Sequence, residues 1–417
     1  MSKMTKAVAA AVLAMGASAA QAGITIPAGD WTIDIGGNVN AYYTHTNFDE
    51  SWDLKGAATK GAFGHESTNV VQTGLLPSAL GIGGKTRQND LDISFQFTFF
   101  TGADSGTGAG AGNNTLNIRQ AYMTFGDKSW GTITAGRQLG IFGSDAILSD
   151  MTLLGVGIGA GHGGSSTLGR IGSGYQYADW VGQISYASPN WNGFSFAAGI
   201  REPWSNGADN TRSNLGFEGK ASYEWGGDVS GKAWVGYINQ KHEKATIATA
   251  AGVGLNTAGT AVTIVPASTA TVKGYTSDAW EIGAKVAVAG FGLVGYYYDG
   301  EGMSGDLGTL AGNLTLNGVN FLANSGEGDD KGGYVQATYT IPGPGTKIGL
   351  SWGTSKSDPK GAGKEYENES WMVGVYHPLT KSLNLVAEYV DQQTDNIGGV
   401  RNLDGEAQTV AGDERSG

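Results

Sequence analysis

Apolar and polar residues alternate with a period of two along most of the chain. In DLDISFQFTFF (90–100), Leu91, Ile93, Phe95, Phe97 and Phe99 share one face, and Asp92, Ser94, Gln96 and Thr98 share the other. In NLGFEGKASYEW (214–225), the faces are Leu215, Phe217, Ala221, Tyr223 and Trp225 against Glu218, Lys220, Ser222 and Glu224. In AWEIGAKVAV (279–288), Trp280, Ile282, Ala284, Val286 and Val288 oppose Glu281, Gly283 and Lys285. GGYVQATYTI, KIGLSWG, SWMVGVYHP and LNLVAEYV repeat the theme. A soluble sandwich strand carries the same alternation, so one run decides nothing. Many such runs of about 9–11 residues predict a membrane-type barrel, with the apolar face toward lipid and the polar face toward a lumen.

The connections alternate as well. RQND (87–90), GDKSWG (126–131), SPNWNG (188–193), GGD (226–228), AGFG (289–292), PGPG (342–345) and HPLTKS (377–382) are short. The stretches 47–73, 102–114, 139–168, 202–212, 241–276, 300–331, 356–368 and 393–405 are long, polar and Gly-rich. Short turns at one end and long loops at the other are expected of bacterial barrels. Seven turns and eight loops predict sixteen antiparallel strands. Trp31, Tyr43, Trp225, Tyr296, Tyr297, Trp352, Trp371 and Tyr389 fall near strand ends, as interfacial girdles require. No second domain and no repeat beyond the hairpin rhythm is visible.

The N-terminus sets the compartment. Lys3 and Lys6 precede an apolar run from Ala7 to Ala20, and Ala20-Gln21-Ala22 has the small-x-small form of a cleavage site. Residues 1–22 therefore read as a secretory signal peptide, and 23–417 as the exported barrel domain. Without Lys3 and Lys6, 24 basic residues face 38 acidic ones, which argues against nucleic acid as a partner. There is no cysteine, so no disulfide framework. No later segment is apolar enough for a spanning helix, so entry into a membrane requires a closed barrel.

One segment breaks the alternation. GSDAILSDMTLLGVGIGAGHGG (143–164) carries an apolar cluster, two aspartates and a tail of glycines. The stretch TLNIRQAYMTFGDKSWGTITAGRQLGIFGSDAILSDMTLLGVG (115–157), followed by LGRIGSGYQYADWVGQISYASPNWNGFSF (168–196), resembles the Gram-negative outer-membrane general porins, of the gammaproteobacterial type. The resemblance covers the mature chain in architecture and is specific over about residues 115–200. It implies a homotrimer whose long loop after the fifth strand, here 139–168, folds into the barrel and narrows the pore. Ile147, Leu148, Met151, Leu153 and Leu154 are then expected to pack the loop against the inner wall. Asp145 and Asp150 are expected to face the water path, across the lumen from Arg119 or Arg170. Arg119 has the parity of Asn117 and Ala121, opposite Leu116, Ile118 and Tyr122, and Arg170 opposes Ile171; both are expected to face water. Arg137 has the parity of Ile133 and Ala135, the outer face. The second strand, Ser78 to Gly84, lacks the family's basic wall residue, and with the acidic chain this predicts a weak cation preference.

Other chemistry is poorly supported. GAGHGG (159–164) matches a dinucleotide motif only because it is mostly glycine. His45, His65, His162, His242 and His377 show no ligand spacing. EGDD (327–330) could bridge cations but reads better as a solvated loop. The reading is a non-enzymatic diffusion porin in the outer membrane, without cofactor or metal. Its partners are lipid, lipopolysaccharide, ions and small hydrophilic solutes. A sugar- or oxyanion-specific channel is the alternative, and a secreted Gly-rich adhesin a distant one. A sugar channel wants aromatics along the lumen, whereas the inward faces are mostly small polar and charged. The last strand is expected to start at EAQTV (406–410) and to be cut short in AGDERSG, where outward apolar residues are due.

Overall fold

The computed structural model describes residues 23–47, 67–103, 116–158, 166–204, 214–243, 245–249, 252–255, 262–265, 268–272, 274–303, 315–316, 319–320, 327–359, 365–395 and 413–416. The leader 1–22, the glycines 159–164 and the stretch 406–410 lie outside the described residues. In chain order the strands are β1 (Ile24–Ala28), β2 (Trp31–Asn38), β3 (Tyr42–Asn47), β4 (Ser67–Gln72), β5 (Ser78–Gln88), β6 (Leu91–Thr101), β7 (Asn117–Asp127), β8 (Gly131–Leu139), β9 (Trp180–Ala187), β10 (Phe194–Arg201), β11 (Gly216–Trp225) and β12 (Val229–His242). They continue with β13 (Ala245–Thr249), β14 (Gly252–Leu255), β15 (Val262–Val265), β16 (Ser268–Val272), β17 (Tyr275–Val288), β18 (Phe291–Glu301), β19 (Thr315–Leu316), β20 (Val319–Asn320), β21 (Gly328–Thr340), β22 (Lys347–Pro359), β23 (Tyr366–Pro378), β24 (Asn384–Asp395) and β25 (Asp413–Ser416).

Seventeen of these form one antiparallel sheet in which chain neighbours are sheet neighbours, an up-and-down order. The sixteen strands expected from the sequence run from β2 to β25. The additional member is β1, folded back on β2 with Ile24 opposite Ile35 and Ala28 opposite Trp31. β25 pairs only with Gln392–Asp395 of β24. The other strands are hairpins outside the main sheet: β3 with β4, β13 with β16, β14 with β15, and β19 with β20. The expected first strand, 31–46, is interrupted between β2 and β3. Asn40 accounts for the break: its backbone N–H donates to Ser78 Oγ at 3.0 Å, its amide donates to Leu76 O at 2.9 Å, and its side-chain oxygen accepts from Gly74 N at 2.9 Å.

The alternation sets the faces. On β6, Ser94, Gln96 and Thr98 are buried, while Phe97 on the other face is exposed. On β11, Phe217 and Tyr223 are exposed and Glu218 and Ser222 are buried. On β17, Trp280 and Ile282 are exposed and Glu281 is buried. Exposed Leu, Ile, Phe and Trp recur on one side of strand after strand. Leaving such side chains in water costs about 1.5–3 kcal/mol each, and lipid removes that cost. Aromatic rings also pair on this face, as in Trp280 with Tyr297 at 5.6 Å and Trp371 with Tyr389 at 5.1 Å between centroids. Tyr296 departs from the expected girdle: it lies on the opposite face from Tyr297, is buried, and donates to Glu281 at 2.8 Å. Turn chemistry fits the short connections. Asn89 and Asp90, between β5 and β6, both have positive φ (48° and 64°), as a tight two-residue hairpin requires.

A single segment shows that the sheet is rolled. The chain between β8 and β9 meets widely separated strands of the sheet. Glu218 of β11 accepts from Phe142 N at 3.2 Å, and Glu388 of β24 accepts from Val156 N at 2.8 Å. Strands so far apart in sheet order reach the same loop only if the sheet wraps around it as a barrel.

Candidate functional site

The inward loop runs from residue 140 to 179, longer than the 139–168 expected, because β9 begins only at Trp180. Gly143, in the left-handed region at φ 74°, turns the chain into a short helix, α1 (Ser144–Ser149). A 3-10 turn, Met151–Leu154, follows, and Asp150 caps it by accepting from Thr152 N at 2.9 Å.

Apolar packing seats the loop. Phe142, Ala146 and Ile147 are buried with Trp234, Tyr296 and Tyr334 of the wall, and Leu148 and Leu153 pack against that cluster. Met151 is buried with Met372 and Tyr376. Leu154 departs from expectation at 43 % exposed, and only its carbonyl is engaged, by Tyr42.

Polar wall side chains satisfy the loop backbone, which strand pairing cannot serve. Glu218 accepts from Phe142 N at 3.2 Å, and Glu281 accepts from Gly143 N at 2.9 Å. Tyr334 donates to Ala146 O at 2.8 Å. Gln336 accepts from Met151 N at 2.7 Å and donates to Ser149 O at 2.9 Å. Glu388 accepts from both Val156 N and Gly157 N at 2.8 Å, and from Tyr376 Oη at 2.6 Å. Gly155 is a glycine of necessity: a Cβ there would collide with the Glu388 carboxylate.

The four residues proposed from the sequence occupy different places. Asp145 is buried, and pairs with Lys220 at 2.7 Å and Lys232 at 2.6 Å. Burial alone pushes its carboxyl up, but the two ammonium groups outweigh that and hold it well below the usual carboxylate range. Asp150 does not face a water path. It is 4 % exposed and accepts from Tyr175 Oη at 2.7 Å and Arg170 N at 3.2 Å. Burial, and then the nearby Asp150, push the Tyr175 phenol well up, so it remains a donor.

Arg170 is 0 % exposed, which corrects the water-facing expectation. Strand parity does not apply to it, because residues 166–179 form no strand. Its Nε donates to Ser351 Oγ at 2.6 Å, and its Nη1 donates to Ser370 Oγ at 3.0 Å and Ser173 O at 3.2 Å. Arg170 is therefore a loop anchor beside Asp150, not its partner across a lumen.

Arg119 sits at a register shift in the β6–β7 pairing. Before the shift Ile118 is exposed as expected; after it β7 alternates opposite to the expected sense, with Gln120 and Tyr122 buried and Met123 exposed. The Arg119 guanidinium lies 5.1 Å from the ring centroid of Phe100, which is buried beside Trp180. Asp145 and Asp150 take their partners elsewhere. Arg137 is exposed, as its parity implies.

Three lysines were not singled out as site residues. Lys220, Lys232 and Lys285 project inward from β11, β12 and β17 around Asp145, and Lys232 also meets Glu224 at 3.5 Å. Two of them were legible as polar-face positions; their convergence was not. Beyond Asp92 at the turn end, the inner faces of β6 and β7 are lined by neutral groups. There Thr98 donates to Gln120 at 2.6 Å, and Ser94 and Thr124 share a hydrogen bond at 2.5 Å. Among the described residues, no group of three or more His, Cys, Asp or Glu is placed to hold a metal ion. Asp330 of the EGDD stretch instead accepts from Met303 N at 2.8 Å.

Comparison with known proteins gives a consistent picture. A family model described as Gram-negative porin matches residues 7–319. The anion-selective porin of Comamonas acidovorans is similar in structure, with a TM-score of 0.59 and 16 % identity over 93 % of this chain and 97 % of that one. The outer-membrane channel DcaP of Acinetobacter baumannii has a TM-score of 0.59 and 16 % identity, covering 95 % and 98 %. OmpF of Salmonella typhi has a TM-score of 0.53 and 15 % identity, covering 94 % and 97 %. No curated protein sequence matches significantly. At these identities the structures speak to the fold alone, and the family model carries the assignment. The inward-facing loop, the lipid-facing strand surfaces and the match over residues 7–319 identify this chain as a member of the Gram-negative porin family, an outer-membrane channel protein.

Proposed function

We propose that the chain, exported by its N-terminal leader, forms a water-filled channel through which ions and small hydrophilic solutes diffuse passively. The observation that carries this reading is the pinned loop. Residues 142–157 are held by side chains of β3, β11, β17, β21 and β24, so the constriction is a fixed part of the wall. A fixed constriction within a polar lumen passes solutes by size and charge and requires no energy source. A homotrimer embedded in lipid and lipopolysaccharide fits the apolar outer face. One structurally similar protein, OmpT of Vibrio cholerae, was solved in a trimer form, with a TM-score of 0.50.

Planar-bilayer recording of the purified protein tests the proposal. Discrete, ohmic conductance steps are expected, with small sugars permeating liposomes that carry the protein. Bilayers that stay silent at every protein concentration would refute it.

A further inference from the structure

We propose that Lys220, Lys232 and Lys285 form a weak binding station for small oxyanions on the periplasmic side of the loop. The inference rests on the porin reading and adds the class of solute that the channel favours.

The register places the charges. Lys232 is directly opposite Lys285 in the β12–β17 pair, and Glu224 is directly opposite Lys232 in the β11–β12 pair. Glu224, Lys232 and Lys285 thus form one row across three adjacent strands. Like charges directly opposite in a sheet destabilise it unless something neutralises them. Lys220 and Lys232 share Asp145, and Lys232 also has Glu224. Among the described residues, no carboxylate oxygen lies within 4.0 Å of the Lys285 ammonium, so an ammonium beside another is left for a mobile anion to complete.

Exposure decides which charges water meets. The Lys220 and Lys232 side chains are 20 % and 15 % exposed, whereas Asp145 beneath them is 5 % exposed. Glu281, four residues from Lys285 on the same face, is 1 % exposed and is covered by Gly143 and Tyr296. Glu218, further along β11, is fully buried beside Arg201. Lys285 is half-buried and Glu224 is 30 % exposed, so the charges of the cluster that water reaches are three ammonium groups and Glu224. This local surplus is positive although the whole chain is acidic, and local charge governs a constriction. On this proposal the channel prefers anions, in place of the weak cation preference expected from the acidic chain and the second strand.

The position gives the side. Glu224 and Lys232 flank the short turn 226–228, and Lys285 lies just before the turn at Ala289 and Gly290. Short turns of such barrels face the periplasm. Flexible ammonium groups hold phosphate-like or carboxylate oxygens as point charges, without imposing one geometry. Partial exposure keeps the binding weak enough for release, as conduction requires.

The test uses the full-length protein in planar bilayers. In a KCl gradient, the wild-type reversal potential is expected on the anion side, and Lys285→Gln should shift it toward cations. Inorganic phosphate, added at constant ionic strength, should block part of the chloride current. The half-blocking concentration should rise roughly fivefold in Lys285→Gln and stay near wild type in Lys285→Arg. Lys232→Gln reads the same station from the neighbouring strand, should Lys285→Gln fail to insert. Open channels with unchanged reversal potential and unchanged phosphate block in the glutamine variants would overturn this inference and leave the porin reading intact. Absence of wild-type channels would instead defeat the porin reading.

Discussion

Glu388 is the wall residue on which the returning half of the loop depends most directly. Its carboxylate accepts three hydrogen bonds, from Val156 N, Gly157 N and Tyr376 Oη, at 2.8, 2.8 and 2.6 Å. Glu388→Ala removes all three and leaves two loop N–H groups without a protein partner. Hydrogen bonds to a charged group are worth about 1.5–3 kcal/mol each in net terms. Glu388 is only half-buried, so water takes over part of that role, and we expect a loss of about 2 kcal/mol in local stability. Every 1.4 kcal/mol is tenfold, so amide exchange at Val156 and Gly157 should speed up roughly 30-fold. Amides of α1, held by Tyr334 and Gln336, should change little. Single-channel currents should become noisier as residues 155–158 move. Glu388→Gln should restore most of the protection, because its amide oxygen still accepts from the loop and its NH2 can donate to Tyr376 Oη. Unchanged exchange and unchanged current noise in Glu388→Ala would refute the reasoning.

Arg170→Ala removes the donor to Ser351, Ser370 and Ser173 and leaves Asp150 buried beside an empty site. It should lower the temperature at which the folded barrel converts to its unfolded form on gels, and Arg170→Lys should not rescue it, since a point charge cannot serve several directions at once. Asp145 gives a pH prediction. Its folded carboxyl titrates below the unfolded value of about 3.9, so its ion pairs stabilise the loop fully above that value and are lost only as pH falls through the lower folded one. The difference in loop exchange between wild type and Asp145→Asn should therefore stay constant from pH 7 to about 4.5 and shrink only at lower pH. A difference that fades already near pH 6 would contradict the pairing with Lys220 and Lys232.

The strands, their faces and the two sets of connections were legible in the sequence, because a period of two and a tight turn are local properties of a few consecutive residues. The alternation in 90–100 and 214–225 is the alternation of lipid and lumen. The apolar cluster in 143–154 was legible as something that must be buried, although Leu154 is not. Parity failed where its premise failed. Tyr296 was grouped with its outward neighbour Tyr297, a register shift lies beside Arg119, and Arg170 is on no strand at all. The site itself belongs to the tertiary structure. Glu388 meets Gly157 across 231 residues, and Lys232 reaches Asp145 across 87. Such contacts depend on how a rolled sheet brings distant strands around one loop. That closure decides which buried carboxylate finds a backbone N–H, which finds an ammonium, and which ammonium is left facing water.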